Sequence, residues 1–261
     1  MSTLILAALL TTFASEASAG RLDDIRARGE LVAAVKTDYP PYGFKDGQGR
    51  IVGMEPDMAA ELARRLGVSL RLVPVLSLNR AEFLRDGKAD LVIATLSITE
   101  ERRKEIGIID PPYYAAGAGV LIRRGVRIEE TAQLDGRTLC AIEGNIFLAD
   151  LRAQAPLAAP LLFKDISSAE EALFKSRCEG MYFNDNLLAY KKASEPERFS
   201  DYEVQQLIDI DPLPWGIGAP LGEERLALGT FRRRSWSGTA AAFSWTLSAN
   251  GSARIPGSLR R

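Results

Sequence analysis

From Leu31 to Ile210 the chain alternates short apolar, β-branched runs with helix-patterned stretches, and this alternation restricts it to the α/β class. The pattern predicts strands at Leu31–Val35, Leu70–Val75, Asp90–Ala94, Gly119–Ile122, Thr138–Ile142, Gly180–Phe183 and Tyr202–Ile210. It predicts helices at Glu55–Leu66, Ala81–Arg85, Glu100–Glu105, Ile146–Gln154, Ser168–Lys175 and Asn186–Ala193, with Pro56 tolerated near the first turn of the first one. At 261 residues, 46% of them hydrophobic, there is material for one large domain or two lobes of ~100 residues each.

Charge and composition then exclude several functions. The formal net charge is −1, and the only charge among residues 1–19 is Glu16, so the chain from Gly20 onward is formally neutral. Neither nucleic acid nor an anionic membrane surface is an expected partner. Residues 4–14 form an apolar run too short to span a bilayer, followed by Ala17-Ser18-Ala19, a small-x-small cleavage pattern. A secretory signal peptide over residues 1–19, cleaved after Ala19, is the expectation, with a true start upstream because only Ser2 and Thr3 separate Met1 from the apolar run and leave no basic n-region; a buried N-terminal helix is the alternative. In an oxidising compartment Cys140 and Cys178, each in or beside a strand-like run, would staple neighbouring strands as a disulfide; two buried free thiols are the alternative. The chain contains no histidine, so Ser-His-Asp and Cys-His catalysis, imidazole metal sites and zinc fingers are unavailable, and no metal or cofactor is expected.

The richest local signal lies between Asn79 and Arg102. Asp90–Ala94 runs straight into Thr95-Leu96-Ser97-Ile98-Thr99-Glu100-Glu101-Arg102, so a strand end is expected to meet a helical turn at once. Free N–H groups there favour an anion, Thr95 and Ser97 add hydroxyls, and Arg102 can reach back as a two-pronged donor. Such a turn grips an α-carboxylate; the plainer alternative is that Thr99 merely caps a solvated surface helix.

Six blocks in order carry a resemblance: "VAAVKTDYPPYGF", "IVGMEPDMAAELARRLG", "NRAEFLRDGKADLVIATLSITEERRKEIGIIDPPYYAAGAGVLI", "LDGRTLCAIEGN", "SRCEGMYFNDNLLAY" and "PLPWGIG". From about Leu22 to Pro220 the chain resembles the polar-amino-acid family of periplasmic solute-binding proteins, the capture subunits of ABC importers. The resemblance implies a two-lobed periplasmic binding protein fold (type II), each lobe an α/β sheet flanked by helices, joined by two crossing segments near Tyr114–Val120 and Asp209–Trp215. It places residues 20–115 and 211–231 in one lobe and 116–210 in the other. It also implies a periplasmic monomer working with ABC permease subunits.

Site roles carried over by that resemblance are as follows. Arg102 pairs with a ligand α-carboxylate, assisted by Ser97 and nearby N–H groups, while Asp185 and Thr95 accept the α-ammonium. Tyr39 and Tyr42 supply an aromatic wall, and the turn Gly144-Asn145-Ile146 clamps the carboxylate from the other lobe, although Ile146 departs from the small hydroxyl residues usual there. Lys36 and Arg80 match basic positions of family members that take aspartate or glutamate, and two cations in a water-poor cleft call for an acidic amino acid. Local alternatives stay open: the tyrosines as loop packing, Asp185 as an N-cap, Lys36 and Arg80 as solvated charges.

Three function classes follow: capture of an acidic or broadly polar amino acid without turnover, an exported dehydratase-like enzyme using a cleft carboxylate such as Glu143, and a sensory receptor domain. The first is expected. Residues 232–261 do not fit any of them, because no acidic residue follows Glu224 while seven arginines do. Residues 236–251, back-translated and read from the third base of each codon, give under permitted wobble choices a string resembling the family's terminal helix. A frame shift is therefore the expected origin of that tail, with a genuine divergent basic tail as the alternative.

Overall fold

The computed structural model describes residues 20–227, together with residues 246–247 and 253–254, which pair as two short antiparallel strands. The expected signal peptide and the rest of the anomalous tail lie outside the described residues. In chain order the strands are β1 (Glu30–Lys36), β2 (Asp38–Tyr39), β3 (Gly43–Lys45), β4 (Ile51–Val52), β5 (Ser69–Val75), β6 (Leu91–Ser97), β7 (Gly107–Ala116), β8 (Ala118–Arg123), β9 (Thr138–Ile142), β10 (Ala159–Phe163), β11 (Gly180–Asn184), β12 (Tyr202–Gln206) and β13 (Leu213–Ala219). The helices are α1 (Arg21–Arg28), α2 (Met54–Leu66), α3 (Arg80–Arg85), α4 (Glu100–Glu105), α5 (Leu148–Gln154), α6 (Ile166–Phe174) and α7 (Asp185–Ser194).

Two five-stranded sheets result, ordered β5-β1-β6-β13-β7 and β10-β9-β11-β8-β12, with β2, β3 and β4 forming a small third sheet. In the first, β1 runs parallel to β5 and β6, and β13 runs antiparallel to β6 and β7. In the second, β9 runs parallel to β10 and β11, whereas β8 is antiparallel to β11 and β12. The chain is a two-lobed α/β protein. It passes from the first sheet to the second between Ala116 and Ala118 and returns between Gln206 and Leu213.

Strands β1 and β6 are apolar throughout because both of their faces are covered. Leu31, Ala33, Leu91 and Ile93 pack with Ile25 and Leu62, while Val32, Ala34, Val92 and Ala94 pack on the opposite side with Leu84 and Ile106. The buried carboxylate of Asp90 ties α1 to this sheet, accepting from the Val32 N–H at 2.7 Å and from Arg21 Nε at 2.8 Å.

Three strands of the two large sheets escaped the sequence pattern for physical reasons, as did the short β2, β3 and β4 of the small one. β7 contains Pro111 and Pro112, which argue against a strand, but it lies at the edge of its sheet where a missing donor is tolerated. β13 is interrupted by Gly216 and Gly218 and bulges between its two partners. β10 likewise carries a proline, Pro160, at the edge of the second sheet, where a missing donor is tolerated. One expectation needs correction: Thr95 and Ser97 do not open a helical turn. They belong to β6, extended by pairing of Ser97 with Trp215, and α4 starts only at Glu100, after the Thr99 cap. β12 is also shorter than expected, ending at Gln206.

The cysteine expectation holds. Cys140 on β9 and Cys178 just before the adjacent β11 form a disulfide with their Cα atoms 5.6 Å apart. Among the described residues no helix is long and apolar enough to cross a membrane. With the bridged positions 38 apart in sequence, restricting the unfolded chain is worth ~3–4 kcal/mol. Replacing both cysteines by alanine should lower the unfolding free energy by that amount, read by urea unfolding; an unchanged midpoint would contradict it.

Candidate functional site

Parallel strands present their carboxyl ends on one side of a sheet, and here those ends from both lobes face one another. From the first lobe come Tyr39 on β2, Ser77 and Arg80 beyond β5, and Thr95 and Ser97 at the end of β6. From the second come Asn145 and Ile146 beyond β9, and Phe183 and Asn184 closing β11. They enclose a cavity of about 10 Å³, the room of a single water-sized sphere, so the lobes are shut on each other and anything larger enters only when they part.

Six of the ten residues expected at a ligand site line this cavity: Tyr39, Arg80, Thr95, Ser97, Asn145 and Ile146. Lys36, Tyr42, Arg102 and Asp185 do not. Lys36 is fully buried, but its Nζ pairs with Asp38 at 2.9 Å and donates to Ser77 Oγ at 3.2 Å. Burial pushes its pKa down and Asp38 opposes that shift. The expected unpaired cation at Lys36 is therefore already neutralised, because an ammonium in that position cannot stay without a counter-charge. The Arg102 guanidinium folds back on its own turn and donates to the Ser97 carbonyl at 2.6 Å. Asp185 sits one residue past the cavity-lining Asn184, where it accepts from the Gly117 N–H at 3.1 Å, from Asn186 N at 2.7 Å and from Gln206 Nε2 at 3.0 Å. It thus braces the crossing from β7 to β8.

Tyr42 belongs to an aromatic cluster behind the cavity. Its ring meets Trp215 at 5.0 Å and Tyr39 at 5.7 Å, and Tyr39 in turn meets Phe183 of the other lobe at 5.5 Å. Ser77, Phe183 and Asn184 were not foreseen. Asn184 carried a readable signal, being the last strand residue before the expected site residue Asp185; Ser77 sits in a loop with none. Asn145 Nδ2 donates to Asn184 Oδ1 at 2.9 Å, and Asn145 Oδ1 accepts from Phe147 N. Glu143, the carboxylate an enzyme reading would use, does not line the cavity.

Residues 31–248 match the Bacterial extracellular solute-binding proteins, family 3. The chain belongs to that family. As a family 3 solute-binding protein it is 30% identical over 217 residues to the ABC transporter glutamine-binding protein of Bacillus subtilis (strain 168), covering 81% of this chain and 77% of that one. It is 29% identical over 212 residues to the glutamine-binding protein of Geobacillus stearothermophilus, covering 78% and 79%. Among solved structures, holo ArgBP from T. maritima superposes with a TM-score of 0.73 at 26% identity, covering 81% of this chain and 93% of that one.

In this solute-binding protein the cavity floor is an electrostatic clamp around Thr95. That residue has φ +50°, a strained value for a β-branched side chain. Its N–H donates to Glu55 Oε1 at 2.6 Å, and its carbonyl and hydroxyl accept from Arg80 Nη1 at 2.8 and 3.1 Å. Arg80 also donates to the Ala94 carbonyl at 2.6 Å, and Tyr113 donates to Glu55 Oε1 at 2.6 Å. Sequence reasoning missed Glu55, which reads as an ordinary first-turn helix residue. Burial pushes the Glu55 carboxyl up to about 7, against the pull of Tyr113, the Thr95 N–H, Arg80 and Lys36. Burial, and then Arg102, push Arg80 down to about 9.

Because the folded value for Glu55 lies above its ordinary 4.5, the folded chain keeps a proton that the unfolded chain releases between those two values. Its contribution is therefore full below about pH 4.5 and is lost as pH rises to about 7, a decline of ~3 kcal/mol. Glu55→Gln should remove most of that decline. Urea unfolding at the two pH values, for both proteins, measures it, and an undiminished slope in the variant would refute the assignment.

Proposed function

We propose that this protein captures a polar L-amino acid outside the cytoplasm, without turning it over, and delivers it to the permease subunits of an ABC importer. The observation that carries the reading is the convergence of Arg80, Thr95 and Ser97 from one lobe with Asn145 and Asn184 from the other on a single buried point. The α-carboxylate is held by Arg80, with Arg102 bracing the Ser97 carbonyl beside it, and the α-ammonium by Thr95 Oγ1 and the Asn184 amide oxygen, with Asp185 supporting from behind. Tyr39 forms the apolar wall, and Asn145 and Ile146 close over the ligand from the second lobe. Residues 20–115 with 211–231, and 116–210, serve as the two closing lobes of an exported monomer.

The side chain taken is a neutral amide, as in glutamine, in place of the acidic side chain that Lys36 and Arg80 together called for. The Lys36–Asp38 pair supports this reading, because a ligand carboxylate beside an ion pair gains less than one beside a lone cation. Both curated relatives described above are named as glutamine-binding proteins. The acidic reading retains one observation: Arg80 still faces the cavity with only neutral oxygens as hydrogen-bond acceptors.

Calorimetry with glutamine, glutamate, aspartate and arginine separates the two. Glutamine should bind most tightly to the wild type, and Arg80→Met, which removes the cavity-lining partner of the α-carboxylate, should weaken every amino acid alike, by ~2–5 kcal/mol. Asp38→Asn frees Lys36 while keeping an acceptor in place, and should raise the preference for glutamate over glutamine by about tenfold. Tighter wild-type binding of glutamate would restore the acidic reading, and no heat with any polar amino acid would remove the capture reading itself.

A further inference from the structure

Asn186 stands in the first turn of α7, in the second lobe, and its side chain points across the cleft to two tyrosines of the first. Its Nδ2 donates to the Tyr42 hydroxyl at 2.8 Å, and its Oδ1 accepts from the Tyr39 hydroxyl at 3.2 Å. The same Oδ1 takes the Leu187 N–H at 2.9 Å, which fixes the amide against its own helix. Both rings are buried, and their packing against Trp215 holds the hydroxyls in place. The amide donates to one hydroxyl and accepts from the other, and an aliphatic side chain in its place can do neither.

We propose that Asn186 is a closure residue: its amide clasps Tyr39 and Tyr42 across the cleft, so that it favours the shut lobes and sets the pose of the Tyr39 ring without itself lining the ligand cavity. When the lobes part, Asn186 and both hydroxyls exchange these bonds for water. When they shut, the bonds re-form with partners that are already rigid, so little side-chain entropy is lost. The contact is independent of ligand chemistry, and among the described residues a further cross-lobe bond runs from the Ile166 N–H to Asp38 Oδ2 at 3.4 Å. A residue of this kind alters the affinity for every ligand by the same factor, which separates it from residues that select among ligands. The inference rests on capture by lobe closure and not on which amino acid is captured.

The test is an interlobe distance. Spin labels at Ala60→Cys and Ala153→Cys, both exposed and on opposite lobes, report the distance by pulsed electron resonance, with the native disulfide left oxidised. The probe is an equimolar mixture of the twenty common amino acids, so the ligand need not be known. In the unmutated background the short distance should dominate, and Asn186→Leu should lower the closed-to-open ratio by about tenfold, the scale of two hydrogen bonds. Asn186→Ala removes both bonds and Tyr42→Phe removes one of them, so the double variant should close no worse than Asn186→Ala alone. That coupling is absent if Asn186 serves only α7, and these milder variants carry the test should Asn186→Leu fail to fold. Equal closure in all variants, additive losses in the cycle, or no short distance in the unmutated protein would each overturn the inference. Heat on titrating the mixture into the unmutated protein would leave the capture reading standing in any of those cases.

Discussion

The site depends on one buried peptide unit. Thr95 stands where β6 leaves its sheet, with its N–H held by Glu55 and its carbonyl by Arg80. A left-handed threonine persists only where its surroundings over-determine it. Here a carboxyl from α2 and a guanidinium from α3 grip its two sides, and Tyr113 from β7 braces the carboxyl. Four elements are thus locked around the point where a strand end becomes a cavity wall. Once Glu55 ionises, above about pH 7, its charge and that of Arg80 offset one another across that peptide.

Shape at the lobe junction is set by aromatic packing. Trp215 on β13, Tyr113 and Tyr114 on β7, and Tyr39 and Tyr42 beside β2 form one cluster with Phe183 of the second sheet. The apolar core that includes Tyr39, Tyr42 and Trp215 continues into the second lobe through Leu121, Met181 and Leu187. Both crossings lie beside this cluster, so movement of the lobes must slide or part rings that are otherwise fixed. Asp185 and Gly117 sit at the same place, and the close approach between them explains the glycine: a Cβ there would lie 3.2 Å from the carboxylate.

Proximity of a second charge decides what a cation can do. Lys36 read as a ligand-facing base because nothing in its immediate pattern marks Asp38, two residues on, as its partner. Residues two apart on a continuous strand share a face, but here β1 ends at Lys36 and β2 begins at Asp38, and the pairing depends on how the chain bends between them.

The sequence by itself determined the α/β class, the positions of β1, β6, β9 and β11, the cysteine pair and most of the cavity-lining residues. Those features follow from local periodicity and from motifs whose order along the chain survives without knowledge of contacts. Tertiary structure alone decided that Pro111 and Pro112 sit in an edge strand, that β6 continues through Ser97 because β13 pairs with it, and that Glu55 lies beneath Thr95. It alone decided that Lys36 is neutralised and that Asn186 reaches two tyrosines of the opposite lobe. Each of these turns on groups 40 or more residues apart, or on a turn of the backbone between near neighbours. Periodicity reports which face of an element is covered; it does not report what covers it.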